Sequence, residues 1–481
     1  MTTRNFRPVA LVLVLAAGLI SLGWTADSGS KIASRVLAET TNGGSTEALV
    51  VLTQQADLSP AYTLNSKLEK GYFVVNALKT VAGRTQGPII QLLQQRGVPY
   101  QSFFIVNMIK VTGDRNLMET LAARGDVARI DANPLVHSDL PSPEGQALSF
   151  DPQGVEWNVT RVKAPDVWAL GYRGEGRVVA GADTGVQWDH PALKPHYRGW
   201  DGQQANHDYN WDDAVQHTTA PNDPHGHGTF TVSEEVGDDG QGNQVGVAPG
   251  AKWIACRNMD SGGNGKPAWY TECFQFMIAP WPVNQPDKGD PSKAPDAINN
   301  SWGCPPSEGC SWDTLQSIVQ AVRAAGIVPA VAAGNSGPSC STVTDPPAIY
   351  GASFTVGATT SANDIASFSS RGPVKIDGSN RTKPDISAPG QSIRGAVPGN
   401  GYSSGWSGTS MATPHIAGGV ALLWQANPAL VGNVDKTETN MERAATHLTT
   451  STAVGNCRGP FVFQDNTFGW GLLNLLKAVQ Q

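Results

Sequence analysis

From Trp157 onward, short apolar runs alternate with segments of helical periodicity, and this alternation restricts the possible fold more than any other feature. Strands are predicted before Asp183 and at 253–256, 297–299, 327–333 and 353–358. One helix is well marked by four apolar residues on one face and by a glycine that ends it. These residues are Leu315, Ile318, Val319, Val322 and Gly326. Such alternation predicts a mostly parallel sheet with helices on both faces.

Ahead of this region, residues 46–137 have the pattern of a small, separate α+β domain, for which a chain of 481 residues has room. The predicted elements are a strand at 49–52, a helix within 79–97, a strand at 103–111, a helix around Leu117 and Leu121, and a strand at 127–130. Residues 138–153 are rich in Pro and Ser, which favours an extended, exposed linker. The large domain then occupies residues 154–481.

The first 26 residues have the composition of an export signal. Arg4 and Arg7 precede an apolar run over residues 9–24, as in a secretory signal peptide. No small-x-small cleavage site is convincing, so an uncleaved membrane anchor is the alternative, although the run is short for a span of about 20 residues. The net charge of −7, without a long basic or acidic block, argues against a nucleic-acid partner. A membrane is a partner only if this segment stays uncleaved.

All six cysteines lie in the second part of the chain, and an even number in an exported protein predicts disulfides. Cys304 and Cys310 bracket a short loop and are the first pair we expect. The pairing of the other four stays open. A zinc site is disfavoured because the chain has no Cys-x-x-Cys or paired-His spacing.

Residues 405–415, Gly-Trp-Ser-Gly-Thr-Ser-Met-Ala-Thr-Pro-His, place Ser410 at the start of an apolar helical run. A serine hydroxyl is a poor nucleophile unless a base takes its proton, so a histidine and an orienting carboxylate are required elsewhere. His227, in Gly-His-Gly-Thr, meets the first requirement. Asp183, at the end of a predicted buried strand, meets the second. The three residues predict a serine nucleophile with its base and its orienting acid.

These contexts, and the chain order Asp, His, Ser, resemble the subtilisin-like serine proteases of peptidase family S8. The resemblance is strongest over about residues 155–475, and it implies a secreted endopeptidase with a subtilisin-like α/β fold and no organic cofactor. Asn335, in Ala-Ala-Gly-Asn-Ser-Gly after an apolar strand, matches the oxyanion asparagine of the family. His225 has no counterpart in the family motif, and we expect it to be an exposed loop residue.

The resemblance also implies the surroundings of the site. Ser301, Trp302 and Gly303 match the edge segment that pairs with extended substrate. Ala333 and Gly334 would lie beside them, and Trp302 is equally well explained as a core aromatic. Residues 46–137 would be a ferredoxin-like propeptide that inhibits the enzyme and is cut off between about residues 137 and 153. An independent accessory domain is the alternative for this segment.

Calcium is often bound by this family, and two groups of acidic and amide side chains offer oxygen ligands. They are Asp238, Asp239 and Asn243, and the pair Asp212 and Asp213. Neither group has the spacing of a recognised calcium loop, so we expect these side chains to be solvated at the surface.

After Thr229 the sequence departs from the family, where a histidine, small apolar residues and a Gly-Thr pair are usual. Ser233 stands where a glycine is expected, and its hydroxymethyl group is expected to crowd the packing. Glu234 and Glu235 follow, so either the helix is rotated or shortened, or the carboxylates find partners. A catalytically impaired pseudoprotease that acts as a binding or scaffold protein is therefore the alternative function. A non-catalytic adhesion or carbohydrate-binding module is a third.

Overall fold

The computed structural model describes residues 31–138, 140–141, 148–448, 457 and 463–481. The predicted signal or anchor, residues 1–26, lies outside these residues, as does part of the predicted linker. None of the helices within the described ranges has the length and apolar character needed to cross a membrane.

The strands are, in chain order, β1 (Ser45–Leu52), β2 (Tyr100–Phe103), β3 (Met108–Asp114), β4 (Val127–Ala132), β5 (Val136–His137), β6 (Gly154–Val155), β7 (Val178–Asp183), β8 (Trp211–Asp213), β9 (Asn243–Gln244), β10 (Lys252–Arg257), β11 (Asn264–Gly265), β12 (Ala297–Asn300), β13 (Val328–Ala332), β14 (Phe354–Thr359), β15 (Ile386–Pro389), β16 (Ile393–Val397) and β17 (Gly401–Trp406).

The α-helices are α1 (Ser34–Glu39), α2 (Lys67–Thr85), α3 (Gly87–Gln95), α4 (Arg115–Ala122), α5 (Trp157–Arg161), α6 (Ala164–Ala169), α7 (His227–Val236), α8 (Pro267–Ile278), α9 (Gln316–Ala324), α10 (Thr409–Ala412), α11 (Pro414–Ala426), α12 (Val434–Ala444) and α13 (Leu475–Val479).

A seven-stranded sheet with the order β15, β14, β13, β12, β7, β10, β8 forms the centre of the larger unit. All of its strand pairs are parallel. Side chains of alternate residues point to opposite faces of the sheet. Ala180 and Ile254 pack in the core with α8 and α9. Val179 and Trp253 pack on the other face, in the core with α7 and α11. Because both faces are buried, the strands are continuous apolar runs. The α/β prediction is confirmed, and so are the marked helix and the five strands.

The N-terminal unit is a four-stranded antiparallel sheet with the order β2, β3, β1, β4. Its element order gives a ferredoxin-like arrangement, but one predicted strand had the wrong bounds and one helix was missed. The strand expected at 103–111 is a hairpin, because a turn over residues 104–107 separates β2 from β3. The helix expected within 79–97 is α3, which buries Ile89 and Leu93. The long helix before it, α2, was not predicted. Its start is marked by a reciprocal cap between Ser66 and Glu69, a local signal that the apolar periodicity did not reveal.

The N-terminal unit packs on the helices that cover one face of the large sheet. Leu49 of β1 and Val74 of α2 share one apolar core with Phe274 of α8 and Ile318 of α9. The side-chain carbonyl of Gln275 accepts hydrogen bonds from the backbone N–H groups of residues 104 and 105, at 2.7 and 3.1 Å. This docking brings the end of the unit, β5, beside β11 of the larger unit.

Three disulfides join the six cysteines, and the expected pair is among them. They are Cys256–Cys273, Cys304–Cys310 and Cys340–Cys457. The first ties β10 to α8, so it anchors one of the helices on which the N-terminal unit rests.

Candidate active site

The predicted catalytic residues converge at the carboxyl edge of the parallel sheet. Asp183 is the last residue of β7, His227 is the first residue of α7, and Ser410 lies in the first turn of α10. In parallel α/β sheets, functional groups collect at this edge because strands end and helices begin there. All three side chains are buried.

Asp183 and His227 form a direct pair, in which Nδ1 of the imidazole lies 2.8 Å from Oδ1 of the carboxylate. The same oxygen accepts the backbone N–H of Thr184 at 2.7 Å. A carboxylate only accepts, so Nδ1 carries the proton and Nε2 keeps its lone pair. Nε2 of His227 has no hydrogen-bond partner within the described chain. The imidazole is therefore held in the tautomer that a general base requires.

The hydroxyl of Ser410 donates to the backbone carbonyl of Ser301 at 3.1 Å instead of to His227. The two helices that carry Ser410 and His227 contact each other. In this arrangement the serine hydroxyl is bonded to Ser301 and not to the imidazole. Such pairs are often loose before substrate binds.

Asn335 follows β13 and is fixed by Thr409, the residue before the candidate nucleophile. Its Oδ1 accepts from the backbone N–H of Thr409 at 2.9 Å and from the Thr409 hydroxyl at 3.0 Å. Because Oδ1 is used in this way, Nδ2 is left to donate elsewhere. Asn335 and Ser410 border the same cavity, and the oxyanion role of Asn335 stays a prediction.

Asp223 is a structural residue of the site that the motifs did not reveal. Its carboxylate accepts from the backbone N–H groups of Gly226 and Thr229, both at 2.8 Å, and from the hydroxyl of Thr184 at 2.8 Å. It therefore ties the start of α7 to the end of β7. The local signal is a carboxylate shortly before a helix N-terminus, where it satisfies free N–H groups.

His225 differs from the expectation of an exposed loop residue. The side chain is half-buried, and its Nδ1 is buried without a hydrogen-bond partner in the described part of the molecule. Its ring lies 6.3 Å from that of His227, centroid to centroid. Burial lowers the pKa of His225, and the charge of a protonated His227 lowers it further. The loop is folded back against the site because Asp223 accepts its backbone N–H groups.

A cavity of about 450 Å³ adjoins Ser410 and Asn335. The predicted substrate-binding residues all border it: Ser301, Trp302, Gly303, Ala333 and Gly334. Trp302 is also a core residue, because its ring stacks on Tyr270 at 3.8 Å and its indole N–H donates to the carbonyl of Ala182 at 2.9 Å. Trp302 is therefore a core aromatic whose ring also forms one wall of the cavity, and its contact with substrate stays a prediction.

The end of the N-terminal unit lies in this cleft as an added strand. β5 pairs with β11 in antiparallel fashion, Val136 with Gly265 and His137 with Asn264. The N–H of Ser138 donates to the carbonyl of Gly263 at 3.1 Å. The sequence pattern carried no signal for β11, because a two-residue edge strand in a Gly-rich loop has no periodicity.

The acidic groups considered for calcium do not fit a calcium site. Asp239 already accepts from the N–H groups of residues 241 and 243 and from the hydroxyl of Tyr402. Asp212 and Asp213 are buried, contrary to the expected solvation, and Asp213 accepts N–H and O–H groups of the following turn. Within the described ranges, no group of three His, Cys, Asp or Glu residues is arranged to hold a metal ion.

Ser233 does not crowd its surroundings as expected. Its hydroxyl donates to the carbonyl of Phe230 at 2.7 Å and accepts the N–H of Ala396 at 2.9 Å. The hydroxymethyl group therefore joins α7 to β16 by hydrogen bonds. These bonds compensate for the closer packing of the helix that a glycine at this position would allow.

Glu234 and Glu235 are fully buried, and none of their carboxylate oxygens has a hydrogen-bond partner among the described residues. The helix nevertheless runs without a break from His227 to Val236, so it is not shortened. The expected partners of the two carboxylates are also missing among the described residues. Burial raises the pKa of both groups well above its ordinary value. The charge of Glu235 raises the pKa of Glu234 further, and that of Asp183 raises the pKa of Glu235. Burial and these neighbouring charges therefore favour the neutral form of both carboxyl groups.

The sequence is similar to known proteases along most of its length. The model of the Subtilase family, Peptidase_S8, matches residues 174–471. Bacillopeptidase F of Bacillus subtilis (strain 168) is 38% identical over 451 residues, which cover 90% of this chain and 30% of that protein. Subtilisin E of the same strain is 30% identical over 418 residues, which cover 86% of this chain and 92% of its own. The chain thus spans about a third of bacillopeptidase F and nearly all of subtilisin E.

A carboxylate, a histidine and a serine at the edge of an α/β sheet occur in serine proteases and in other serine hydrolases, so the family comparison decides between them. The matched family model covers more than half of the chain. The protein therefore belongs to the subtilase family, peptidase S8, and is a serine endopeptidase of that family.

Proposed function

We propose that the protein hydrolyses peptide bonds with Ser410 as nucleophile, His227 as general base and Asp183 as the residue that orients the base. The observation that carries the proposal is the 2.8 Å contact between Asp183 and His227, with Nε2 left unpartnered at the helix that adjoins Ser410. That contact supplies the tautomer and the basicity which Ser410 needs.

In the proposed reaction, Nε2 of His227 takes the proton of Ser410 while Oγ bonds to the substrate carbonyl carbon. The negative oxygen that forms is stabilised by Nδ2 of Asn335 and by the N–H of Ser410 at the start of its helix. The C–N bond then breaks, and the leaving amine takes the proton from His227. Water repeats the sequence on the acyl-enzyme, which releases the acid and restores Ser410.

We further propose that the protein is exported and made as a precursor, with residues 46–137 as the inhibitory segment. The strand β5 supports this, because it fills the edge of the cleft as an extended substrate would. The cut would fall within residues 137–153, after which this strand is free to dissociate. The disulfides support export, since such bonds persist in oxidising compartments.

The test is covalent labelling of the full chain by a fluorophosphonate probe, with the labelled residue located by mass spectrometry. We expect the label on Ser410, its loss in His227→Ala, and its retention in the matched control His225→Ala. The size of the chain before and after incubation reports removal of the N-terminal unit. A folded, cleaved chain that takes no label would refute the proposed function.

The alternative of an impaired protease has one observation in its favour: Glu234 and Glu235, in the helix that begins at His227, have no hydrogen-bond partners among the described residues. In that case the labelling rate would be low in the wild-type chain and would rise when these two residues are replaced by Thr and Met. A normal rate that the replacement leaves unchanged would exclude impairment by this pair.

A further inference from the structure

The cavity beside Ser410 has one carboxylate in its wall. Of the described residues that line it, Asp345 is the only Asp or Glu, and the single other ionisable side chain is His137 of the N-terminal unit. The remaining lining groups are neutral, among them Thr344, Ala348 and Gly303. Once the N-terminal unit is removed, the lining residues include no basic side chain that could balance a negative charge.

The carboxylate of Asp345 is only partly used by its neighbours. Oδ1 accepts the hydroxyl of Thr344 at 2.9 Å. Oδ2 would lie 3.6 Å from a Cβ placed on Gly303, so the missing side chain of this glycine leaves room beside the carboxylate. No Lys, Arg or His within the described ranges lies within ion-pair distance of Asp345.

The surroundings make a cationic ligand favourable. Burial raises the pKa of Asp345, and the charge of nearby Glu308 raises it further, while the Thr344 hydroxyl opposes both effects. A desolvated carboxylate without an ion-pair partner is costly, and a positive charge placed beside it recovers that cost. Apolar side chains entering the same cavity would cover the carboxylate and leave it unpaired.

We propose that Asp345 makes the protein select peptides with Lys or Arg at P1, the residue whose carbonyl carbon is attacked. This rests on the proposed function, because P1 is defined by attack from Ser410. A long aliphatic stem would lie against Gly303 and Ala348, and its cationic end would reach the free oxygen of Asp345. The small wall residues leave the length of the cavity open for such a stem.

A preference for Lys or Arg at P1 would affect how the N-terminal unit is removed. Residues 138–153 contain no Lys or Arg, so the segment expected to be cut lacks the preferred residue. Cleavage there would depend on the attachment of the segment to its own cleft, since intramolecular proximity compensates for a poor P1 residue. A free peptide with the sequence of residues 134–153 should then be a poor substrate, and a basic residue at the cut position should improve it.

The test compares fluorogenic peptides that differ only at P1, with lysine against its uncharged analogue norleucine. The cleaved, wild-type enzyme is first titrated at Ser410 with the fluorophosphonate probe, so that rates refer to active molecules. We expect kcat/KM to be at least tenfold higher for lysine. In Asp345→Asn this ratio should fall at least tenfold, with the norleucine rate nearly unchanged. Asp287→Asn, the same change at an exposed position, is the control.

A pH series adds a second readout. Protonation removes the charge of Asp345, so the preference for lysine should fall as the pH decreases through the raised pKa of this group. Equal rates for lysine and norleucine, or a lysine preference that survives in Asp345→Asn, would overturn the proposal. Absence of label on Ser410 would instead refute the proposed function. Binding of the two peptides to the cleaved chain, followed by fluorescence anisotropy, would then decide whether Asp345 selects the cation.

Discussion

Replacement of Glu234 and Glu235 by Thr and Met should stabilise the protein. Each carboxyl group is buried without a hydrogen bond among the described residues, and such a group costs about 1–3 kcal/mol even when neutral. The pair thus costs about 2–6 kcal/mol. The unfolding entropy is roughly 2.1 cal/mol/K per residue. For a chain of 481 residues, each kcal/mol added to the free energy of unfolding therefore raises the melting temperature by about 1 °C. We expect the melting temperature to rise by about 2–6 °C under acidic conditions.

The gain should grow with pH, and the sign follows from the raised pKa of both groups. Below the ordinary value of 4.5 the carboxyl groups are protonated in the folded and in the unfolded chain. Above it the unfolded chain ionises while the folded chain does not, so the wild-type protein loses stability as the pH rises towards the folded-state pKa. The loss is about 1.4 kcal/mol per pH unit for each group. The variant, which lacks both groups, does not lose this stability.

Scanning calorimetry of the full chain between pH 4.5 and pH 7 measures both effects. Ser410→Ala is used as the background, so that self-cleavage does not disturb the transition. Glu119→Met, the same kind of change at an exposed helical position, is the control and should shift the transition by little. A gain that stays constant with pH would mean that the buried carboxyl groups ionise with partners, and the reasoning would be refuted. An unchanged melting temperature would refute it as well.

Two further perturbations follow from the structure. Asn335→Leu removes the proposed oxyanion donor, so kcat should fall by about 10²–10³-fold with KM nearly unchanged, as for the corresponding donor of subtilisin; a change confined to KM would contradict that role. Arg394→Met removes the partner of buried Glu156, at 2.9 Å, and of Asn243, at 2.9 Å. An unpaired buried charge costs about 3–5 kcal/mol, so the midpoint of urea unfolding should fall clearly. An unchanged midpoint would show that the pair contributes nothing to the free energy of unfolding.

The strands and the marked helix of the large sheet could be predicted because their signal is local. Apolar runs such as the one that forms β13 require burial on both faces, whatever the rest of the chain does. The strands of the N-terminal unit were harder to predict, because the turn at 104–107 interrupts an apolar stretch without a strong turn signal. The start of α2 depends on the cap formed by Ser66, which lies outside the apolar pattern.

The sequence by itself determined the candidate nucleophile, base and acid, because each lies in a short motif that fixes its own backbone: Ser410 at a helix start, His227 at another and Asp183 at a strand end. Only the tertiary structure decided which residues surround them. The ties made by Asp223, the pairing of β5 with β11 and the place of Asp345 in the cavity join segments that are distant in sequence. Hydrogen bonds and charge interactions act over a few ångströms in space, so their partners are known only once the chain has folded.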